Sequence, residues 1–87
     1  MAYKACKSKL HTWNELYDTI EKYTKLRESA PVLAIIAKLE NLKEEIDEEY
    51  AKIYEGSKFK RKLEDAMEIN NRLFLRMRRV KHKYNRQ

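Results

Sequence analysis

The 87-residue sequence is poor in the residues that build turns and cross-links, with one glycine, one proline and one cysteine. Sandwiches, barrels and dinucleotide-binding folds need frequent tight turns, so this scarcity excludes them. A lone cysteine excludes an intramolecular disulfide framework and any site built from several cysteines. The sequence therefore predicts one small domain, residues 1–87, with no metal site and no cofactor.

Long apolar runs are absent as well, because no stretch approaches the roughly 18 consecutive apolar residues of a membrane-spanning helix. The N-terminal segment MAYKACKSKL lacks the apolar core of a secretory signal. We therefore expect a cytoplasmic protein, or one in another reducing intracellular compartment. A membrane is not the expected partner, although the segment RLFLRMRRVKHKY is basic and amphipathic enough to touch an anionic lipid surface.

What the sequence does contain is three apolar stripes at helical spacing, which together cover most of the chain. Neither of the first two stripes shows the alternation of a half-buried strand. The first stripe consists of Cys6, Leu10, Trp13, Tyr17, Ile20 and Thr24. The second consists of Val32, Ile35, Leu39, Leu42, Ile46, Glu49 and Ile53. The third steps regularly by four and three residues, as coiled coils do. Its members are Phe59, Leu63, Ala66, Asn70, Leu73, Met77, Val80 and Tyr84.

Two breaks separate the stripes. Pro31 suits the first turn of a helix and disfavours helical geometry at the residue before it. Gly56 can adopt the left-handed conformation, and Ser57 after it is a natural N-cap. We predict helices over about residues 8–28, 31–55 and 58–84, although a capping box at Thr12 would start the first helix there. The predicted fold is all-α, an elongated antiparallel three-helix bundle with coiled-coil-like seams.

Polar residues interrupt two of these apolar seams. Asn70 lies in the third stripe and Glu49 in the second. A single polar group in a heptad core commonly fixes register or oligomeric state. The alternative is a slightly exposed position at the edge of the bundle, and the sequence leaves both interpretations open.

Charge is distributed unevenly along the chain, which carries a net +6 overall. Residues 31–56 have three basic and seven acidic groups, whereas residues 57–87 have eleven basic and three acidic groups. Folding back at Pro31 and Gly56 would give the bundle an acidic middle and one strongly basic end. The basic end is where an anionic partner would bind.

One edge of the third helix concentrates the positive charge, and we call it the basic edge. Its residues step by four, three, four and three, and residues 69–87 contain no acid at all. The alternative interpretation is that the residues of the basic edge are solubilising groups beside a core. The basic edge consists of Arg72, Arg76, Arg79, Lys83 and Arg86. Arg78 and Lys81 lie on the other side of the apolar seam, and Lys22 and Lys25 are expected at the same end of the bundle.

The third helix is apolar around more of its circumference than two neighbouring helices can cover. Leu75 lies opposite the seam, with Met67, Ile69 and Phe74 on its flanks. These four residues predict a protein interface, either with another copy of the chain or with a different partner. Self-association would also offset the small core of a minimal bundle.

Enzyme chemistry has little support in the sequence. Cys6 and His11 are the one conceivable nucleophile and base, but five positions apart on a helix they diverge by about 140°. The two histidines are far apart and show no metal-ligand spacing. A phosphate-binding loop needs more glycines than the chain has. We therefore expect a protein that is not an enzyme.

The sequence favours a small binding protein that uses its basic C-terminal helix to engage nucleic acid or a nucleoprotein complex. Such binding would depend on phosphate neutralisation and on salt. The alternative is a protein–protein adaptor or inhibitor, in which the third helix enters a partner's groove and its arginines meet an acidic rim. The groove-filling residues would be Phe74, Met77, Val80 and Tyr84.

Overall fold

The computed structural model describes residues 2–25 and 29–85, and these form three α-helices. The helices are α1 (Ala2–Lys25), α2 (Ser29–Lys52) and α3 (Lys58–Asn85). They pack into a rod of 45 × 18 × 18 Å. The prediction of an all-α, elongated three-helix bundle is confirmed. None of the helices in the described ranges is long and apolar enough to cross a bilayer.

Three contacts fix the directions of the helices. The Trp13 indole on α1 reaches the Leu39 carbonyl on α2, and the Cys6 thiol lies 3.8 Å from the Ile46 carbonyl. These pairs run in opposite order along the chain, so α1 and α2 are antiparallel. Lys81 of α3 reaches Glu40 of α2, with its Nζ 3.0 Å from both carboxylate oxygens. Only residues 53–57 join α2 to α3, so this contact near the end of α3 requires α3 to fold back along α2. Helices α1 and α3 therefore point the same way.

The turn between α2 and α3 has the geometry that its sequence predicts. Gly56 has a φ of 78°, which an L side chain adopts only at a cost. The Ser57 hydroxyl accepts a 3.2 Å hydrogen bond from the Lys60 backbone N–H, and so satisfies one of the free donors at the start of α3. The chain therefore reverses direction at Gly56 and Ser57.

The other two helix starts differ from the expected positions. α1 begins at Ala2. Thr12 lies inside this helix, where its hydroxyl donates to the Ser8 carbonyl and does not cap a helix start. α2 begins at Ser29, so Pro31 lies in its first turn, where a missing N–H costs nothing. The predicted capping box at Thr12 is therefore wrong. The end of the first helix predicted at residue 28 lies outside the described residues.

The core follows the predicted stripe closely in α1 and less closely in α2 and α3. In α1 the buried residues are Cys6, Leu10, Trp13, Tyr17 and Ile20. In α3 the buried face is turned towards α2, so Lys60 and Met67 are buried while Phe59 is 39% exposed. Asn70 is 1% exposed, so its interpretation as an edge position is wrong. Its side-chain nitrogen and oxygen have no hydrogen-bond partner in the described part of the chain.

Candidate nucleic-acid interface

The helix directions bring together the C-terminal turns of α1 and α3, which are rich in basic side chains. Tyr3 and Phe59 are in contact near the starts of α1 and α3, with ring centroids 5.2 Å apart. Since α1 and α3 run the same way, their C-terminal turns lie at the opposite end of the rod. We call this end the basic pole. It carries Lys22 and Lys25 from α1 and the C-terminal half of α3.

Most of the predicted binding residues are exposed at this pole. On the basic edge, Arg76, Arg79 and Lys83 are exposed, and no carboxylate of the described residues comes within 4 Å of their charged groups. They span about 10 Å of helix at about 1.5 Å per residue. Lys22 and Lys25 are exposed as well. These five cations at the basic pole are therefore available to an anionic ligand.

Two of the predicted residues have a partner within the chain. Arg72 lies 2.7 Å from a carboxylate oxygen of Glu68, and both side chains are mostly exposed. Lys81 is more deeply engaged, because Glu40 accepts from it with both oxygens and the two side chains are only about a third exposed. Lys81 therefore ties α3 to α2, and Arg72 is partly neutralised. Arg86 lies outside the described residues.

Arg78 belongs to a different part of the α3 surface. It lines a shallow depression of about 470 Å³ together with Leu75, Arg79 and His82. It also lines a second depression beside Glu40 and Phe74. The first depression therefore lies between Arg78 and Arg79 of the basic edge, and it places Arg78 next to the exposed side chain of Leu75.

The four predicted interface residues do not form one surface. Leu75 is 58% exposed and Ile69 is 54% exposed. Phe74 is half-buried against the core, with the Lys43 ammonium 5.9 Å from its ring centroid. Met67 is 7% exposed and packs inside the bundle, so the prediction that it faces a partner is wrong. Its position on the side of α3 that faces α2 explains the burial.

Two lysines, Lys43 and Lys60, are buried where α3 packs against α2 and the turn that follows it. Lys43 donates to Asp47 at 2.7 Å and to Asn71 at 2.6 Å. Lys60 donates to the Ile53 carbonyl and to Glu55, and its ammonium lies 4.7 Å from the centre of the Tyr50 ring. Long aliphatic stems allow a lysine to cover apolar surface while its charge reaches a partner. These two cations therefore link α3 to α2 and to the turn between them.

The end of the rod opposite the basic pole is aromatic. Tyr54 is 83% exposed, and it lines a depression of about 280 Å³ with Tyr3, Ile53 and Phe59. The helical periodicity of the sequence did not predict this surface. A signal was present, because Tyr54 and Phe59 flank the turn at Gly56, where two neighbouring helices cannot cover them.

Cys6 and His11, the residues considered for enzyme chemistry, lie in different environments, one buried in the core and the other on the surface. Cys6 is fully buried, and burial, followed by the nearby carboxylates of Glu49 and Asp47, raises the pKa of its thiol. His11 is largely exposed and lies 2.8 Å from Glu15. Within residues 2–25 and 29–85, no three histidine, cysteine or acidic side chains are placed to hold a metal ion.

The site and the fold define an all-α bundle with a basic pole. Comparison of the chain with protein-family models, with curated proteins and with solved structures finds no match. The geometry of the basic pole is therefore the basis on which a function can be assigned.

Proposed function

We propose that this protein is a non-enzymatic binding protein that engages nucleic acid, alone or within a nucleoprotein complex, through the basic pole. The observation that carries the proposal is the accessibility of Arg76, Arg79 and Lys83 on one edge of α3, with no described carboxylate within ion-pair distance. Lys22 and Lys25 in the last turn of α1 add positive charge at the same end of the rod.

The chemistry of these side chains suits phosphate. Arginine guanidinium groups bind phosphate oxygens with two parallel hydrogen bonds, and lysine supplies a compact positive charge. A row of such donors on a rigid helix fits a phosphate backbone, whose charges are also regularly spaced. These contacts position a protein on nucleic acid without reading its sequence. We therefore expect binding with little sequence preference.

The adaptor alternative has less support from the geometry. Its groove-filling side chains face the interior, since Met77 is fully buried and Phe74, Val80 and Tyr84 pack against the core. Docking them in a partner's groove would require α3 to leave the bundle and to expose its buried face. The basic pole needs no such rearrangement.

Titration of labelled nucleic acid with the intact protein tests the proposal. We expect binding to duplex and to single-stranded nucleic acid at low salt, and fluorescence anisotropy of the labelled strand measures it. If about five phosphates are neutralised on a duplex, a plot of the logarithm of the affinity against the logarithm of the salt concentration should have a slope of about −4.5. Replacing Arg76, Arg79 and Lys83 by Glu should abolish binding at salt concentrations where the unchanged protein still binds.

A matched variant separates the basic pole from net charge. Lys7, Lys58 and Arg61 are exposed cations near the other end of the rod, and replacing all three by Glu changes the net charge by the same amount. We expect this variant to retain most of its affinity. No binding at low salt, or equal losses in the two triple variants, would refute the proposal. Far-ultraviolet circular dichroism checks that both variants remain helical.

A further inference from the structure

A second exposed face of α3 carries acidic residues in its N-terminal half and basic residues in its C-terminal half. Its charges therefore complement those of an identical helix that runs in the opposite direction. Its residues alternate in steps of four and three, so they lie along one line of the helix surface. Each of them is exposed. Leu75 near the middle is two positions from the buried Met77 and therefore points about 160° away from it, since successive residues turn by about 100°. We call this line the outer seam: Glu64, Glu68, Asn71, Leu75, Arg78 and His82.

From this pattern we infer that a second copy of the chain docks on the outer seam, so that two α3 helices pack antiparallel about a twofold axis. In that register Asn71 faces Leu75 of the second copy, and Glu68 faces Arg78. Glu64 faces His82 at the ends. The inference does not rest on the proposed nucleic-acid binding.

The distribution of charge determines both the partner and its direction. The acidic residues occupy the N-terminal half of the outer seam, and the basic residues occupy the C-terminal half. A parallel pair would place Glu68 on Glu68 and Arg78 on Arg78, where like charges repel. An antiparallel pair places each acid on a base, and it does so twice because a twofold interface repeats every contact.

Shape supports the same register. The depression lined by Leu75, Arg78, Arg79 and His82 lies just C-terminal to the centre of the outer seam. In the antiparallel register, Glu68 of the second copy lies over this depression, where Arg78, Arg79 and His82 surround it. Within one chain Glu68 pairs with Arg72, but both side chains are mostly exposed. That pair is weak, so Glu68 can turn towards a second copy.

The surrounding helices leave room for such a partner. α2 contacts one flank of the outer seam, since Lys43 reaches Asn71 and Lys81 reaches Glu40. The basic edge forms the other flank. The twofold axis is perpendicular to the plane that contains the two α3 helices. Rotation about it exchanges the helices but leaves each flank on the same side of that plane. The two basic edges would therefore lie next to each other on one face of the dimer, and both α2 helices would lie on the other face.

Contacts of this kind give a weak dimer, because they consist of one leucine per copy and exposed ion pairs. Sedimentation of the intact protein without nucleic acid tests for it. We expect a mass of 10.6 kDa in dilute solution that rises towards twice this value as the concentration approaches about 1 mM. At about 0.5 M salt the mass should return to that of the monomer, because screening weakens the ion pairs.

Charge exchange along the outer seam provides the decisive variants. Glu68→Arg alone and Arg78→Glu alone should each weaken the dimer at least about tenfold, because each leaves like charges facing one another. The two single variants, when mixed in equal amounts, should associate with each other. The double variant should dimerise like the unchanged protein, since both pairs are then reversed. Leu75→Asp should also give a monomer.

Three results would overturn the inference. The first is a monomer mass at every concentration up to about 1 mM in low salt. The second is a dimer that Leu75→Asp and Glu68→Arg leave unchanged, since association would then use another surface, such as the aromatic end at Tyr54. The third is a double variant that stays monomeric while circular dichroism shows a folded helical protein.

Discussion

The indole Nε1 of Trp13 donates a 3.0 Å hydrogen bond to the backbone carbonyl of Leu39. The ring is fully buried and stacks on Tyr17, with centroids 5.5 Å apart. This contact joins the middle of α1 to the middle of α2, and it fixes the register between them. A buried indole N–H needs such a partner, because an unpaired buried donor is costly.

Trp13→Phe should therefore destabilise the bundle. Loss of the hydrogen bond and of part of the ring volume should lower the free energy of unfolding by about 2 kcal/mol. Urea titration followed by circular dichroism measures this change. Tyr54→Phe, at an aromatic residue that is 83% exposed, is the control and should change it by less than about 0.5 kcal/mol. Equal stabilities of the two variants would contradict the assigned role of Trp13.

Asn70→Leu should have the opposite effect. The side-chain amide of Asn70 is buried without a hydrogen-bond partner among the described residues. Replacing it by an apolar group of similar size removes an unsatisfied donor and acceptor, and should raise the free energy of unfolding by about 1–2 kcal/mol. Thermal and urea unfolding provide the measurement. A loss of stability would show instead that the amide has a partner, such as a buried water molecule.

Glu40→Gln should make Lys81 available to an anionic ligand. With its carboxylate partner removed, Lys81 is a further unpaired cation in the part of α3 that forms the basic pole, and it can contribute to phosphate binding. We expect nucleic-acid affinity at low salt to rise about two- to threefold, with a salt slope steeper by up to about one. Because the pair is partly exposed, the free energy of unfolding should fall by only about 0.5 kcal/mol.

A matched variant checks the role of position in this effect. Glu44→Gln makes the same change in net charge at an exposed residue of α2, one helical turn further from the basic pole and without a contact to Lys81. It should change affinity less than Glu40→Gln does. If the two variants bind equally well, net charge alone accounts for the gain, and the Lys81 contact contributes nothing to binding.

Cys6 should react slowly with alkylating reagents. Its thiol is fully buried, and burial raises its pKa above the ordinary value of 9.0. Raising the pKa lowers the fraction of thiolate at any given pH, and the thiolate is the reactive form. At pH 8 we expect iodoacetamide to modify the folded protein at least about 100-fold more slowly than the protein in urea. Mass spectrometry follows the reaction, and equal rates would contradict the burial of Cys6.

Much of the fold could be predicted from the sequence because helical periodicity is a local property. The five buried residues of α1 all lie on the predicted stripe, and the reversal at Gly56 and Ser57 follows from glycine geometry and capping chemistry. The phase of the buried face in α3 could not be predicted. The stripe there is wide, and the position of α2 decides that Lys60 and Met67 are buried while Phe59 is partly exposed.

The candidate site was predictable in part for the same reason. The spacing of Arg76, Arg79 and Lys83 determines that they share one edge of a helix. The sequence could not show that Lys81 is engaged by Glu40, because these residues are 41 positions apart and meet only after the chain has reversed. It also could not show that the lysines at positions 43 and 60 carry their charges into the interface between α2 and α3.

The sequence by itself determined three amphipathic helices, one sharp reversal at Gly56 and a C-terminal helix rich in positive charge. These properties depend on side-chain spacing, backbone conformation and composition, all of which are local. Tertiary structure decided which cations remain accessible and which face of α3 stays uncovered. Both outcomes depend on how the helices rotate against one another to bury apolar area, and that rotation depends on the whole core.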